Sequence, residues 1–78
     1  MVSHGKPDPE IFLLAASRIN IKPQECLVIE DGISGMEAAK SAKMKCIGLV
    51  EKKSKNYPTK NQVLSLFEIT NDYLKNLK

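Results

Sequence analysis

Residues 26–44 read CLVIEDGISGMEAAKSAKM. Leu27, Val28 and Ile29 form an unbroken apolar run, the pattern of a short strand covered on both faces in a parallel sheet. Glu30 and Asp31 then place two carboxylates where that strand stops, and Gly32 supplies a turn. An alanine-rich helix follows from about Ser34 to Ala42, with Gly35 in its first turn, where a missing side chain lets helix and strand approach. The residue after that helix is Lys43, where a glycine would be usual. CIGLV (Cys46–Val50) reads as a second strand. Two parallel strands joined by a helix make a βαβ unit with a right-handed crossover. In open sheets of this kind ligands gather at the carboxyl ends of the strands, which is where Glu30 and Asp31 fall.

Upstream, GKPDPEIF combines a turn with a helix start. Asp8 reads as the N-cap, Pro9 as the first helical residue and Glu10 as a favourable charge at the positive end of the dipole. Ile11, Phe12, Ala15, Ala16 and Ile19 recur at helical spacing and predict an inward face. The helix ends near Arg18–Asn20, ahead of Lys22-Pro23. Downstream, residues 51–61 form a charged loop containing Pro58. Val63–Leu64 is a brief third strand, and Thr70 or Asn71 caps a final helix reaching Leu77. The expected fold is α/β, a Rossmann-like parallel sheet of about three strands with three helices, and residues 1–78 suit one small domain.

Composition narrows the function. The chain has 78 residues, a hydrophobic share of 42%, no Trp, and 12 basic against 9 acidic residues. Seven lysines lie between Lys40 and Lys60 with only Glu51 against them. Arg18 is the single arginine and Tyr57 is the one aromatic among those lysines, so a solvated surface is expected and not a nucleic-acid interface. Cys26 and Cys46 each open a predicted strand, lack zinc-ligand spacing and make no disulfide framework, which fits a reducing cytoplasm. No apolar run approaches the ~20 residues of a membrane span, so no membrane partner is expected.

Three groups carry possible chemistry. Glu30 and Asp31 repel one another unless a cation lies between them, and hard oxygen donors suit Mg²⁺. The plainer reading has Asp31 capping the next helix and Glu30 facing solvent. Lys6, in a Gly-Lys-Pro turn before a helix N-terminus, could meet a phosphate, or be an ordinary solvated lysine. Ser34 could bind phosphate or serve as a cap. His4 is the only histidine and has no companion at ligand spacing. There is no nucleophile elbow, no Asp-x-Asp and no glycine-rich phosphate loop.

Lys6-Pro7-x-Pro9 with Ile11-Phe12, then Val28-Ile29-Glu30-Asp31-Gly32 with Gly35, Ala38-Ala39 and Met44, resembles the haloacid dehalogenase superfamily. The branch it resembles is that of β-phosphoglucomutase-like sugar-phosphate phosphatases and mutases. The resemblance implies that Lys6 neutralises the transferring phosphoryl group, that Asp31 binds Mg²⁺, and that Glu30 does so directly or through a water. It implies phosphoryl transfer on a phosphorylated small molecule through an aspartyl-phosphate. The family's Asp-x-Asp motif, its Ser/Thr phosphate motif and its cap domain are absent from these 78 residues, so the chain corresponds to the C-terminal half of the core and is expected to be inactive alone. In the family fold the strand beside Leu27–Ile29 carries the nucleophile. Without it that strand is an open edge. The expectation is pairing with a second copy or with a separate N-terminal half. The alternative function is a non-enzymatic interaction or regulatory module derived from the same domain.

Overall fold

The computed structural model describes residues 8–78. Its elements are α1 (Glu10–Arg18), a 3₁₀ turn (Pro23–Glu25), β1 (Leu27–Glu30), α2 (Ile33–Ser41), β2 (Lys45–Leu49), β3 (Gln62–Val63), a second 3₁₀ turn (Leu66–Glu68) and α3 (Asn71–Lys75). The strands form one parallel sheet in the order β1-β2-β3. Val28 is opposite Cys46 and Glu30 opposite Gly48, while Gly48 and Leu49 pair with Gln62 and Val63. The expected α/β sheet is present, with most element ends displaced by about one residue.

The helix ends show how local chemistry sets those bounds. At the start of α1 the cap is Pro9, yet Asp8 still satisfies an orphan amide, accepting from Glu10 N at 2.9 Å. The C-termini of α1 and α2 close in the same way. After α1, Asn20 takes φ 58° and Ile21 N reaches back to Ala16 O at 3.0 Å; after α2, Lys43 takes φ 61° and Met44 N reaches Ala39 O at 3.0 Å. With Asn20 N on Ser17 O and Lys43 N on Lys40 O, each is a Schellman closure with a left-handed residue where glycine is the usual choice. Lys43 therefore ends its helix in the ordinary geometry, at the steric cost of its own Cβ.

The larger part of the core lies on one face of the sheet. Alternation along β1 and β2 turns Val28 and Cys46 the same way, and they meet Phe12 and Ala16 of α1 and Met36 and Ala39 of α2 in two touching apolar clusters. Ala38 and Ala39 are fully buried, so the small side chains of α2 let it lie close on the strands. Gly48 serves the same approach, since a Cβ there would sit 2.9 Å from Met36 Cε and 3.1 Å from Thr59 Cγ2.

The opposite face is covered over only part of its width. Ile47 and Val63 are fully buried, but Ile29, which is beside Ile47 in register, is 48% exposed and Leu27 is 40% exposed. The expectation that β1 is covered on both faces does not hold among the described residues. Nor does all of the expected inward stripe of α1, because Phe12 and Ala16 pack while Ile11, Ala15 and Ile19 are exposed.

The loop after β2 is organised by side-chain amides. Asn61, buried, donates through Nδ2 to Cys46 O at 3.2 Å, and Thr59 Oγ1 donates to the same oxygen at 2.8 Å. Gln62 donates to Ser54 O and Thr59 O and accepts from Ser54 N. The expected charged loop is thus pinned from within by its neutral polar residues.

Candidate active site

All three strands run parallel, so their carboxyl ends open on one side of the molecule. A crevice there is lined by Asp31 after β1, by Leu49, Val50 and Glu51 at the end of β2, and by Leu64, Ser65 and Leu66 after β3. Asp31 is exposed and follows the last residue of its strand. Glu51 brings a second carboxylate to the crevice. Sequence reasoning counted Glu51 only as a charge among lysines, although its place just past the second strand was the available signal.

Glu30 and Asp31 meet at one turn but take different tasks. The Glu30 side chain folds back along the chain, and its Oε1 accepts from Asp31 N and from Gly32 N, each at 3.2 Å. The carboxyl group lies against Gly35 in the first turn of α2, where any Cβ would overlap it. The plainer sequence reading is thereby inverted. Glu30 is half-buried and satisfies amides at the entry to the helix, while Asp31 is exposed; the N-cap of α2 is Gly32, with no side-chain cap.

Gly32 itself has φ −111° and ψ 147°, an extended conformation open to any residue. The glycine that this corner needs is Gly35. Ser34 sits exposed in the first turn of α2. Lys6 and His4 lie outside the described residues.

The charge of Glu30 is felt within the core. Burial, and then the Glu30 carboxylate, push the Cys46 thiol up to about 11, so it stays protonated at neutral pH. Cys26 and Cys46 are both free thiols.

Among the described residues no three His, Cys, Asp or Glu side chains gather as a metal cluster. Mg²⁺ is commonly held by one or two carboxylates, with water and substrate oxygens completing its shell. An exposed Asp31 with Glu51 on the same crevice fits that kind of donor set. Also among the described residues, no helix is long and apolar enough to cross a membrane.

The family model for haloacid dehalogenase-like hydrolases matches residues 1–43. A phosphorylated carbohydrates phosphatase of Thermotoga maritima is 58% identical over 41 residues, covering 53% of this chain and 19% of the relative. A beta-phosphoglucomutase of Bacillus subtilis is 46% identical over 48 residues, 62% of this chain and 21% of the relative. The crystal structure of a beta-phosphoglucomutase from Clostridium difficile superposes with a TM-score of 0.81 at 32% identity, over 95% of this chain and 33% of that one. The chain thus spans about a fifth of the length of these curated relatives and a third of the solved one. With a model matching more than half of its residues and a fold shared along nearly its whole length, the chain belongs to the haloacid dehalogenase-like hydrolase family.

Proposed function

We propose that these 78 residues supply the metal-binding share of a phosphoryl-transfer site acting on phosphorylated small molecules, sugar phosphates in particular. The observation that carries the reading is Asp31, exposed at the carboxyl end of β1 on a crevice fed by all three strands. The names of the relatives, a phosphatase of phosphorylated carbohydrates and beta-phosphoglucomutases, support the substrate class.

In this reading Asp31 holds Mg²⁺, Glu30 stands behind it, and Lys6 faces the transferring phosphoryl group. The ion, when bound, neutralises charge on the phosphoryl oxygens. The reacting carboxylate comes from elsewhere, since the 78 residues contain no Asp-x-Asp. The phosphoryl group passes to that aspartate and then to water or a sugar hydroxyl. The chain works in a reducing cytoplasm, a placement supported by its two free thiols.

The test is a graft. These residues replace the matched segment of the Bacillus subtilis beta-phosphoglucomutase, to which they are 46% identical over 48 residues. The chimera should retain Mg²⁺-dependent turnover and lose it with Asp31→Asn. A folded chimera with no activity, or one indifferent to Asp31→Asn, contradicts the reading. The 78 residues alone should not hydrolyse an aryl phosphate.

A second reading rests on a different observation, the exposed Leu27 and Ile29 on edge strand β1. Here the chain is an interaction module that pairs through β1, with a second copy or with a separate strand-bearing half. Light scattering distinguishes the two. Assembly that persists without metal and after Glu30→Gln and Asp31→Asn, but is lost with Ile29→Lys, favours the module.

A further inference from the structure

Gly35 and Glu30 are five residues apart and on different elements, and the Glu30 carboxyl group fills the space that a side chain at Gly35 would need. A Cβ on Gly35 would overlap the Glu30 carboxyl carbon, Oε2 and Cγ. The other oxygen, Oε1, accepts from the amides of Asp31 and Gly32 at 3.2 Å. Both of those amides belong to the corner that delivers the Asp31 side chain to the crevice. We infer that Gly35 and Glu30 form a seat and a clamp: the gap at Gly35 receives the Glu30 carboxylate, whose oxygen then fixes the Asp31–Gly32 turn. Glu30 is a positioning residue for Asp31, and Gly35 is the residue that makes that position available.

Three physical points support this assignment. First, a charged acceptor on two main-chain amides makes stronger bonds than a neutral one, so the clamp holds the turn better than a neutral acceptor would. Second, α2 has no side-chain cap of its own, and its N-cap Gly32 is one of the clamped residues. The carboxylate therefore also lies close to the positive end of the helix dipole. Third, the atoms that a Gly35 Cβ would meet are the far end of a flexible side chain. Gly35→Ala should displace Glu30 and spare the fold, which makes the substitution informative. The link from this clamp to metal binding rests on the proposed function. The clamp itself does not.

Amide hydrogen exchange on the 78-residue chain separates these questions. In Glu30→Ala and in Gly35→Ala, exchange at Asp31 and Gly32 should each quicken by roughly tenfold, about the worth of one net intramolecular hydrogen bond. Glu30→Gln keeps an oxygen acceptor and should restore most of the protection. Because both substitutions break one interaction, the double variant should exchange no faster than the worse single variant.

Additive effects in the double variant, or unchanged protection in Gly35→Ala, overturn the inference. So does a spectrum, dispersed or collapsed, in which these two amides show no protection to lose. A Mg²⁺ titration of the same samples reads the proposed function separately. An intact clamp with no metal response refutes that function and leaves the clamp standing.

Discussion

Asn61 holds Lys78 by both of its main-chain polar groups: Nδ2 donates to Lys78 O at 3.0 Å and Oδ1 accepts from Lys78 N at 2.9 Å. The same Nδ2 also donates to Cys46 O on the central strand, so one buried side chain ties β2 to the segment after α3. A primary amide has two donor hydrogens and an acceptor, and no other side chain of this size but aspartate's approaches the geometry. Asn61→Ala should cost about 1–3 kcal/mol in urea denaturation, the range for orphaning buried polar partners. Asn61→Asp should cost more than Asn61→Ala, because it turns a carboxylate toward two carbonyl oxygens. A loss below a few tenths for both would remove this tie from the account.

Lys43 carries a left-handed φ of 61° that glycine adopts without a Cβ penalty. Relief of that penalty, about 1–2 kcal/mol, is partly offset by the extra freedom glycine gives the unfolded chain, so Lys43→Gly should gain about 1 kcal/mol. For a domain of this size that is roughly 4–8 °C in melting temperature. Lys43→Ala should be near neutral and Lys43→Val destabilising. Equal melting temperatures for all three variants would contradict the Schellman geometry.

Cys46 supplies a pH dependence whose sign is fixed. Below its ordinary value of 9.0 the thiol is protonated in both the folded and the unfolded chain and contributes no slope. Between 9.0 and about 11 the unfolded chain releases the proton while the folded chain keeps it, so stability falls as pH rises across that window. Cys46→Ala should flatten this alkaline loss. In mild alkali an alkylating reagent should modify the half-buried Cys26 well before Cys46, whose modification should follow unfolding. Comparable rates at the two thiols would contradict the burial of Cys46.

The legible parts of this chain were the local ones. Asp8 beside a helix start, the apolar run before Glu30-Asp31, and Thr70 as a cap each announce themselves within a few residues, and Thr70 does accept from Tyr73 N. The relationships that organise the site are between residues that sequence order separates. Nothing in a reading of Glu30 reveals that its carboxylate rests on Gly35, because the strand–helix corner between them decides where each points.

Asn61 and Cys46 are 15 residues apart, and a buried asparagine looks like any loop asparagine until the partners are in place. The both-faces burial expected for β1 failed for a related reason. An apolar run records what a strand needs covered, and the described residues cover only the face of Val28.

The account stands or falls on Asp31. The most direct measurement is a Mg²⁺ titration of the 78-residue chain followed by ¹⁵N amide shifts, beside the Asp31→Asn variant. Saturable shifts confined to Asp31, Gly32 and the Glu51 side of the crevice, and lost in the variant, are the expected result. Shifts that never saturate, that spread without preference over exposed carboxylates such as Glu25 and Asp72, or that survive Asp31→Asn would contradict a metal-binding role for this corner.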